Sequence, residues 1–436
     1  MAVPNSQNSF LGDIQETLRH YDTQLKDINQ KIWSNPELAF KEYLAHDFIC
    51  ELFDGLASSG YQVQRKAFGV DTALEVNYSY GTGGRTVAFN AEYDALPGIG
   101  HACGHNLIAT TSIAAFIATC ETMKAHAQSS GVSGFTVRLL GTPAEESGGG
   151  KVKLIDAGAY EGVDACLMIH PVPIFPELSE ILTIAAVAEG GYLANHKVKA
   201  TFIGKPAHAA AAPWEGINAL DAVVSAYVNI SLLRQQILPS QKVHGIIVNG
   251  GDRPNIIPMS ATIDYYIRSP TRKSLKVLTD KVINCFEAAA TATGCKLELE
   301  WGVSYDDMKS NNPLCERYLS AIRNMGHRAL FDNSQQKRSL FSGGSTDMGT
   351  FDSFDDLRKF VSQLLGNVSY VVPGFHGLFC IPVDGVNHTP EFTQGAGSQE
   401  GFERGIACAA GMAEVACQVL VDDKFAEAVK KDFQSE

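Results

Sequence analysis

Apolar residues Phe10, Leu11, Ile14, Leu18, Leu25, Ile28 and Ile32 recur at roughly helical spacing over residues 8–32, and Asn35-Pro36 ends the pattern. A first helix covering the core is expected there. The period then shortens: β-type runs at 86–90, 135–140 and 165–169 are separated by helical stretches at 107–124 and 152–157. That alternation predicts an α/β sheet with helices on its faces. From 191 to 305 the texture changes. Alternating sequence at 197–202, a helical stretch at 217–237, strand-like runs at 243–248 and 262–268, a helix at 275–292 and a strand at 297–301 give a βαββαβ order. Such an order suits a small ferredoxin-like domain. After 305, strand-like sequence at 368–372 returns the chain to the first sheet. The expected organisation is one discontinuous domain of residues 1–190 and 306–436, with residues 191–305 inserted as a lid.

Size and composition narrow the class. At 436 residues the chain exceeds the span of about 250 to 300 residues at which one core usually stops growing, which agrees with two domains. A 45% hydrophobic content supports a large core, and 19% charged residues is low for an average soluble protein. A formal net charge of −13 argues against nucleic acid, whose phosphates are held mainly by Lys and Arg. No apolar stretch approaches the roughly 20 residues of a membrane span, and residues 1–18 lack a signal-type apolar segment, so a cytoplasmic protein without a membrane partner is expected. The 10 cysteines are scattered rather than arranged as a disulfide framework. Cys103 differs from most of them in having Gly and His, not aliphatic residues, as neighbours.

Three of the β-type runs lead directly into polar clusters. The first reaches Asp94 and then His101-Ala102-Cys103-Gly104-His105, the second reaches Glu145-Glu146 before Gly148-Gly149-Gly150, and the third reaches His170. Ligands of open α/β sheets gather at the carboxyl ends of strands, so these signals converge on one edge. Any one His or Cys would be an ordinary structural residue. Together Cys103, His105, Glu146, His170 and His388 supply the thiolate, imidazole and carboxylate mix that zinc-type ions take. Two such ions about 3.5 to 4 Å apart can activate a nucleophile and polarise a carbonyl. A closed structural zinc site would use closely spaced Cys and His pairs, whereas these donors are dispersed. The adjacent Glu145 and Glu146 suggest a division of labour, one binding metal and the other carrying the proton.

The segments Asn35-Pro36-Glu37-Leu38, Asp94-Ala95-Leu96-Pro97, His101 to His105, Pro143-Ala144-Glu145-Glu146, Gly204-Lys205-Pro206-Ala207-His208-Ala209 and Asn387-His388-Thr389 resemble the aminoacylase/carboxypeptidase group, metallopeptidase family twenty. Cysteine in place of a bridging Asp resembles its amidohydrolase subgroup. Gly98-Ile99-Gly100 and the run 251–258 are similar to the branch of β-alanyl-lysine dipeptidase and aminobenzoyl-glutamate hydrolase. The resemblance implies two divalent metals, zinc first and Mn or Co as alternatives, on Cys103, His105, Glu146, His170 and His388. Glu145 would be general base and acid, and Asp94 would orient a ligand. It further implies a homodimer through the lid, with His208 reaching the partner's site and Asn255 and Arg268 gripping a substrate carboxylate. Gly344 and His376 are placed as further pocket residues. The implied reaction is hydrolysis of a dipeptide or N-acyl amino acid bearing a free carboxylate. Amide formation at the same site, or a non-catalytic pocket, are the alternatives. One departure is the run 350–366, whose Phe351, Phe354, Leu357, Val361, Leu364 and Leu365 are spaced as an amphipathic helix. A pocket cap, an assembly surface and an unspliced segment are its three readings.

Overall fold

A computed structural model describes residues 9–173, 186–187, 193–327, 329–330 and 365–435. The chain forms two compact units, Met1–Gly190 with Met308–Glu436, and Gly191–Asp307. In chain order the strands are β1 (Gln62–Arg65), β2 (Leu74–Gly81), β3 (Arg85–Ala91), β4 (Gly134–Gly141), β5 (Ala165–Pro173), β6 (Ala186–Val187), β7 (Ala194–Ile203), β8 (Lys242–Asn249), β9 (Ser260–Ser269), β10 (Lys296–Trp301), β11 (Ala329–Leu330) and β12 (Gly374–Ile381).

The larger unit is built on a mixed sheet in the order β1-β2-β4-β3-β5-β12-β6-β11. Its centre is parallel, β4 beside β3, β3 beside β5 and β5 beside β12, while β2 runs antiparallel to β4. Every residue of β5 and β12 is buried, as expected for parallel strands covered on both faces. The helix His105–His126 is buried over most of its circumference, from His105 through Cys120, and so reads as apolar all round rather than as a striped surface helix. It packs on β3, β4 and β5 and against the helix Gln399–Val421. This core fixes the carboxyl ends of β3, β4 and β5 relative to one another.

The smaller unit carries a four-stranded antiparallel sheet in the order β10-β7-β9-β8 and two helices, Ala219–Leu233 and Arg272–Thr293, giving the βαββαβ order. Ile263, Tyr265 and Ile267 of β9 are fully buried beneath those helices, and Thr262, Asp264, Tyr266 and Arg268 alternate onto the other face.

Two elements differ from expectation. The opening helix is a pair, Leu11–His20 and Asp22–Ser34, meeting at the buried Tyr21 with φ −94° and ψ 7°. The run 368–372 is not a strand: the helix Leu365–Ser369 leads into a turn, and the strand here is β12. The adjacent Val368 and Ser369 are both fully buried, which strict strand alternation does not allow. Val372 N–H donates to the Val368 carbonyl, and Ser369 Oγ donates to the Gly366 carbonyl.

Candidate active site

The carboxyl edge of the sheet collects the polar residues. β3 ends just before Glu92 and Asp94, β4 just before the turn bearing Glu145 and Glu146, and β5 contains His170. Cys103 precedes the helix that begins at His105. Gly104 between them sits at φ +79°, and a Cβ there would lie 2.5 Å from Pro171 Cγ. Glycine therefore allows the Cys103–His105 corner to approach β5 closely enough for Cys103 Sγ to lie 3.3 Å from His170 Nε2. His388 arrives from the far end of the chain in a left-handed conformation, φ +69°, tied by its N–H to the Ala102 carbonyl at 2.8 Å.

Donor atoms of Cys103, His105 and His170 lie within 4.8 Å of one another, as do those of Cys103, Glu146 and His388, and those of His105, Glu145 and Glu146. The structure thus brings together every candidate ligand named from the sequence, with Glu145 beside them. Asp94 holds two of them. Its Oδ1 lies 3.0 Å from His105 Nδ1, and its Oδ2 accepts the Glu146 N–H at 2.9 Å. That leaves His105 Nε2 facing the cluster, 3.7 Å from Glu145, 3.8 Å from Glu146 and 3.6 Å from Glu92. His105 Nε2 and Glu146 Oε1 are buried without a well-formed hydrogen bond among the described residues, His388 Nε2 lying 3.4 Å from Glu146 Oε1. Buried polar atoms are rarely left so, and a cation among these donors satisfies both.

The electrostatics fit the same reading. Burial drives the Cys103 thiol well above its ordinary range, and the Glu146 charge adds to this. Glu145 is pushed well up by burial and then by Glu146 and Glu92. Burial also acts upward on Glu146 and Asp94, but His388 and His105 outweigh it for the first and His105 for the second, so both carboxyls end below their usual value. Burial and the charge of His105 hold His170 well below the ordinary imidazole range. The neutral His170 imidazole and the ionised Glu146 carboxylate are forms that bind metal, whereas the Cys103 thiol would have to lose its proton to do so.

Of the remaining sequence-named residues, His376 is on β12, buried, its ring 6.3 Å from that of His170; burial and Lys151 lower it to about 3. In the smaller unit His208 is exposed, with Nδ1 accepting from the N–H groups of Ala210 and Ala211. Its loop is tied to Asn255, whose carbonyl accepts from Ala209 N–H. Arg268 is half-buried on the open face of β9, with Nε unpartnered among the described residues. Gly344 and the run 350–364 lie outside the described residues.

Three buried charges were not foreseen. Lys151 Nζ donates to Glu92 Oε1, both side chains being essentially inaccessible. Glu42 is also wholly buried, and burial followed by the Asp94 charge raises it from 4.5 to about 7. Because the fold prefers the protonated Glu42, its contribution to stability is fully present below about pH 4.5 and is lost as the pH rises through 7, an effect of about 3 kcal/mol. The Tm of wild type is therefore expected to fall relative to Glu42→Gln between pH 5 and pH 8. A constant difference across that range would contradict the assignment.

Thiol, imidazole and carboxylate donors packed around a further buried carboxylate, at the carboxyl edge of a mixed sheet, define a metal-dependent hydrolase. The model of peptidase family M20/M25/M40 matches residues 88–367, and the chain belongs to that family. It is a hydrolase of peptide-type amide bonds. It is 39% identical over 422 residues to the Xaa-Arg dipeptidase of Mus musculus, covering 94% of this chain and 89% of the relative. It is 31% identical over 335 residues to a p-aminobenzoyl-glutamate hydrolase polypeptide of Escherichia coli (strain K12), covering 73% of this chain and 65% of that one. Among solved structures, a dinuclear metal binding peptidase of Bacillus subtilis from the M20 family matches with a TM-score of 0.65 at 19% identity, over 92% of this chain and 99% of that one.

Proposed function

We propose that the protein is a dinuclear metallodipeptidase that cleaves the amide bond of a dipeptide or N-acyl amino acid carrying a free carboxylate. The observation that carries this is the meeting of Cys103, His105, Glu146, His170 and His388 around Glu145. In this reading Cys103, His105 and His170 would hold one cation, and Cys103, Glu146 and His388 the other. Zinc suits a set with one thiolate, three imidazoles and one carboxylate, and Mn or Co are the alternatives. When bound, the cations supply Lewis acidity toward the scissile carbonyl and lower the pKa of water.

The chain's own residues do the rest. Asp94 fixes the His105 ring and, through the Glu146 N–H, the turn that carries both glutamates. Glu145 lies 3% exposed at the back of the cluster, takes a proton from the attacking water and returns it to the leaving nitrogen. Arg268 and Asn255 of the smaller unit are the candidates that the family resemblance offers for recognising the substrate carboxylate, a role that the guanidinium fork suits. The likeness to an Xaa-Arg dipeptidase supports dipeptides ending in a basic residue as the first substrates to assay.

We further read the smaller unit as a dimerisation domain. The helix Ala219–Leu233 exposes Val224, Tyr227, Val228 and Leu232, and the neighbouring edge strand β8 exposes Ile246, Ile247 and Val248. Such an apolar face on an unpaired strand edge favours a second copy. Sedimentation should give about twice the 47.0 kDa chain mass, and a monomer at assay concentration with full activity would contradict it.

The substrate assignment is tested with a panel of Xaa-Arg, Xaa-Lys and neutral dipeptides, their C-terminal amides, and N-acyl amino acids. Hydrolysis is expected only where the carboxylate is free, abolished by chelator and restored by Zn, Mn or Co. Equal cleavage of the amides, or chelator-resistant turnover, would refute the reading.

A further inference from the structure

The turn that presents Glu145 and Glu146 is not relaxed. Ala144, immediately before them, has φ +58°, a left-handed conformation that an L residue with a Cβ adopts only when its surroundings hold it there. Phe40, far away in sequence, has φ +59°. The N–H groups of both residues donate to the same atom, Glu42 Oε1, at 2.9 Å from Phe40 and 2.8 Å from Ala144. Of the five left-handed non-glycine residues among those described, two are therefore pinned by one carboxylate oxygen. The Phe40 ring then closes over the turn: a Cβ on Gly148 would lie 2.4 Å from Phe40 Cε2, and the Lys153 ammonium sits 4.7 Å above that ring. Glu42 itself is fully buried, and its chain leads straight into the helix Tyr43–Gly55, whose Ala45, Ile49 and Phe53 anchor it in the core.

We propose that Glu42 is a positioning residue that clasps the strained Phe40 and Ala144 together and thereby sets the carboxylate of Glu145. The inference rests on the reading of Glu145 as the proton carrier. Without the shared acceptor, Ala144 relaxes out of its left-handed conformation, and the rotation is passed directly to the next residue. A displacement of about 1 Å at a proton-transfer group costs turnover on the order of 10- to 100-fold. The ligands held by Asp94 keep their own anchor, so metal content and KM are preserved while kcat falls.

The test is a set of variants of the metal-loaded, full-length protein: Glu42→Ala, Glu42→Gln, Glu42→Ala with Ala144→Gly, and Glu145→Gln. Glu42→Ala is expected to lower kcat by about 10- to 100-fold, with KM within about threefold and metal stoichiometry unchanged. Glu42→Gln keeps the oxygen acceptor and should recover most of the loss. Adding Ala144→Gly to Glu42→Ala should restore kcat several-fold, because glycine holds the left-handed conformation without a clasp. Should Glu42→Ala fail to fold, Glu42→Leu keeps the volume and removes the acceptor, and takes its place in both comparisons. An unchanged kcat in the acceptor-free variant, or no recovery from Ala144→Gly, overturns the clasp. Glu145→Gln separates the two levels: inactive Glu145→Gln beside fully active Glu42→Ala refutes the clasp alone, whereas active Glu145→Gln refutes the proton-carrier reading and the clasp with it.

Discussion

Glu145→Gln is expected to retain metal and to lose turnover by about 10²- to 10⁴-fold, the range of general acid and base catalysis. The amide keeps the size of the carboxylate and so the packing of a side chain that is 3% exposed. It cannot accept the proton that the attacking water must lose. Glu145 and Glu146 occupy one turn, yet their surroundings push them apart: burial and neighbouring negative charge raise Glu145, whereas His388 and His105 lower Glu146. Two adjacent carboxyls held at different proton affinities are suited to different tasks. Single-turnover rates and metal content, measured on the same preparation, check this. Loss of both together would instead make Glu145 a ligand, and retention of both would remove it from the chemistry.

Lys151→Met is expected to destabilise the chelator-treated protein by about 3 to 5 kcal/mol, because it leaves the Glu92 carboxylate buried without its counter-charge. Both partners are inaccessible, and Glu92 Oε2 has no hydrogen-bond partner among the described residues, so the lysine is the group that offsets the cost of burying this carboxylate. Removing both charges, Lys151→Met with Glu92→Gln, should restore most of the stability, since an absent pair costs far less than a broken one. Denaturant unfolding of the two variants beside wild type reads the difference. A double variant no more stable than Lys151→Met would show that the lysine contributes through something other than the pair. Because Glu92 also lies 3.6 Å from His105 Nε2, the pair keeps a fourth carboxylate close to the candidate metal ligands.

The candidate ligands were legible because such sheets place them where sequence can find them, directly after short apolar runs bounded by polar and glycine-rich clusters. β3, β4 and β5 each extend a few residues beyond the expected runs, and the polar clusters at their ends converge. Cys103, His105, His170 and the Glu145-Glu146 pair needed only that topology, while the division of roles within the pair needed the family resemblance. His388 needed the motif around it as well, since its place depends on a backbone bond to Ala102 nearly three hundred residues away. Glu42 and Lys151 were illegible for a different reason. Nothing in Lys41-Glu42-Tyr43 or Gly150-Lys151-Val152 marks the charge as buried, and only the partner across the fold reveals it. The mistaken strand at 368–372 shows the converse: β-branched residues satisfied a local preference, while the burial of adjacent Val368 and Ser369 and the Val372 N–H bond to the Val368 carbonyl belong to a helical turn.

Hydrolysis at this site depends on two cations held side by side by one set of donors. Anomalous diffraction from crystals of the zinc-loaded protein, collected across the zinc edge, measures this directly. Two peaks are expected about 3.5 to 4 Å apart, one among the donors of Cys103, His105 and His170 and one among those of Cys103, Glu146 and His388. A single peak, or peaks outside the space enclosed by those five residues, would contradict it.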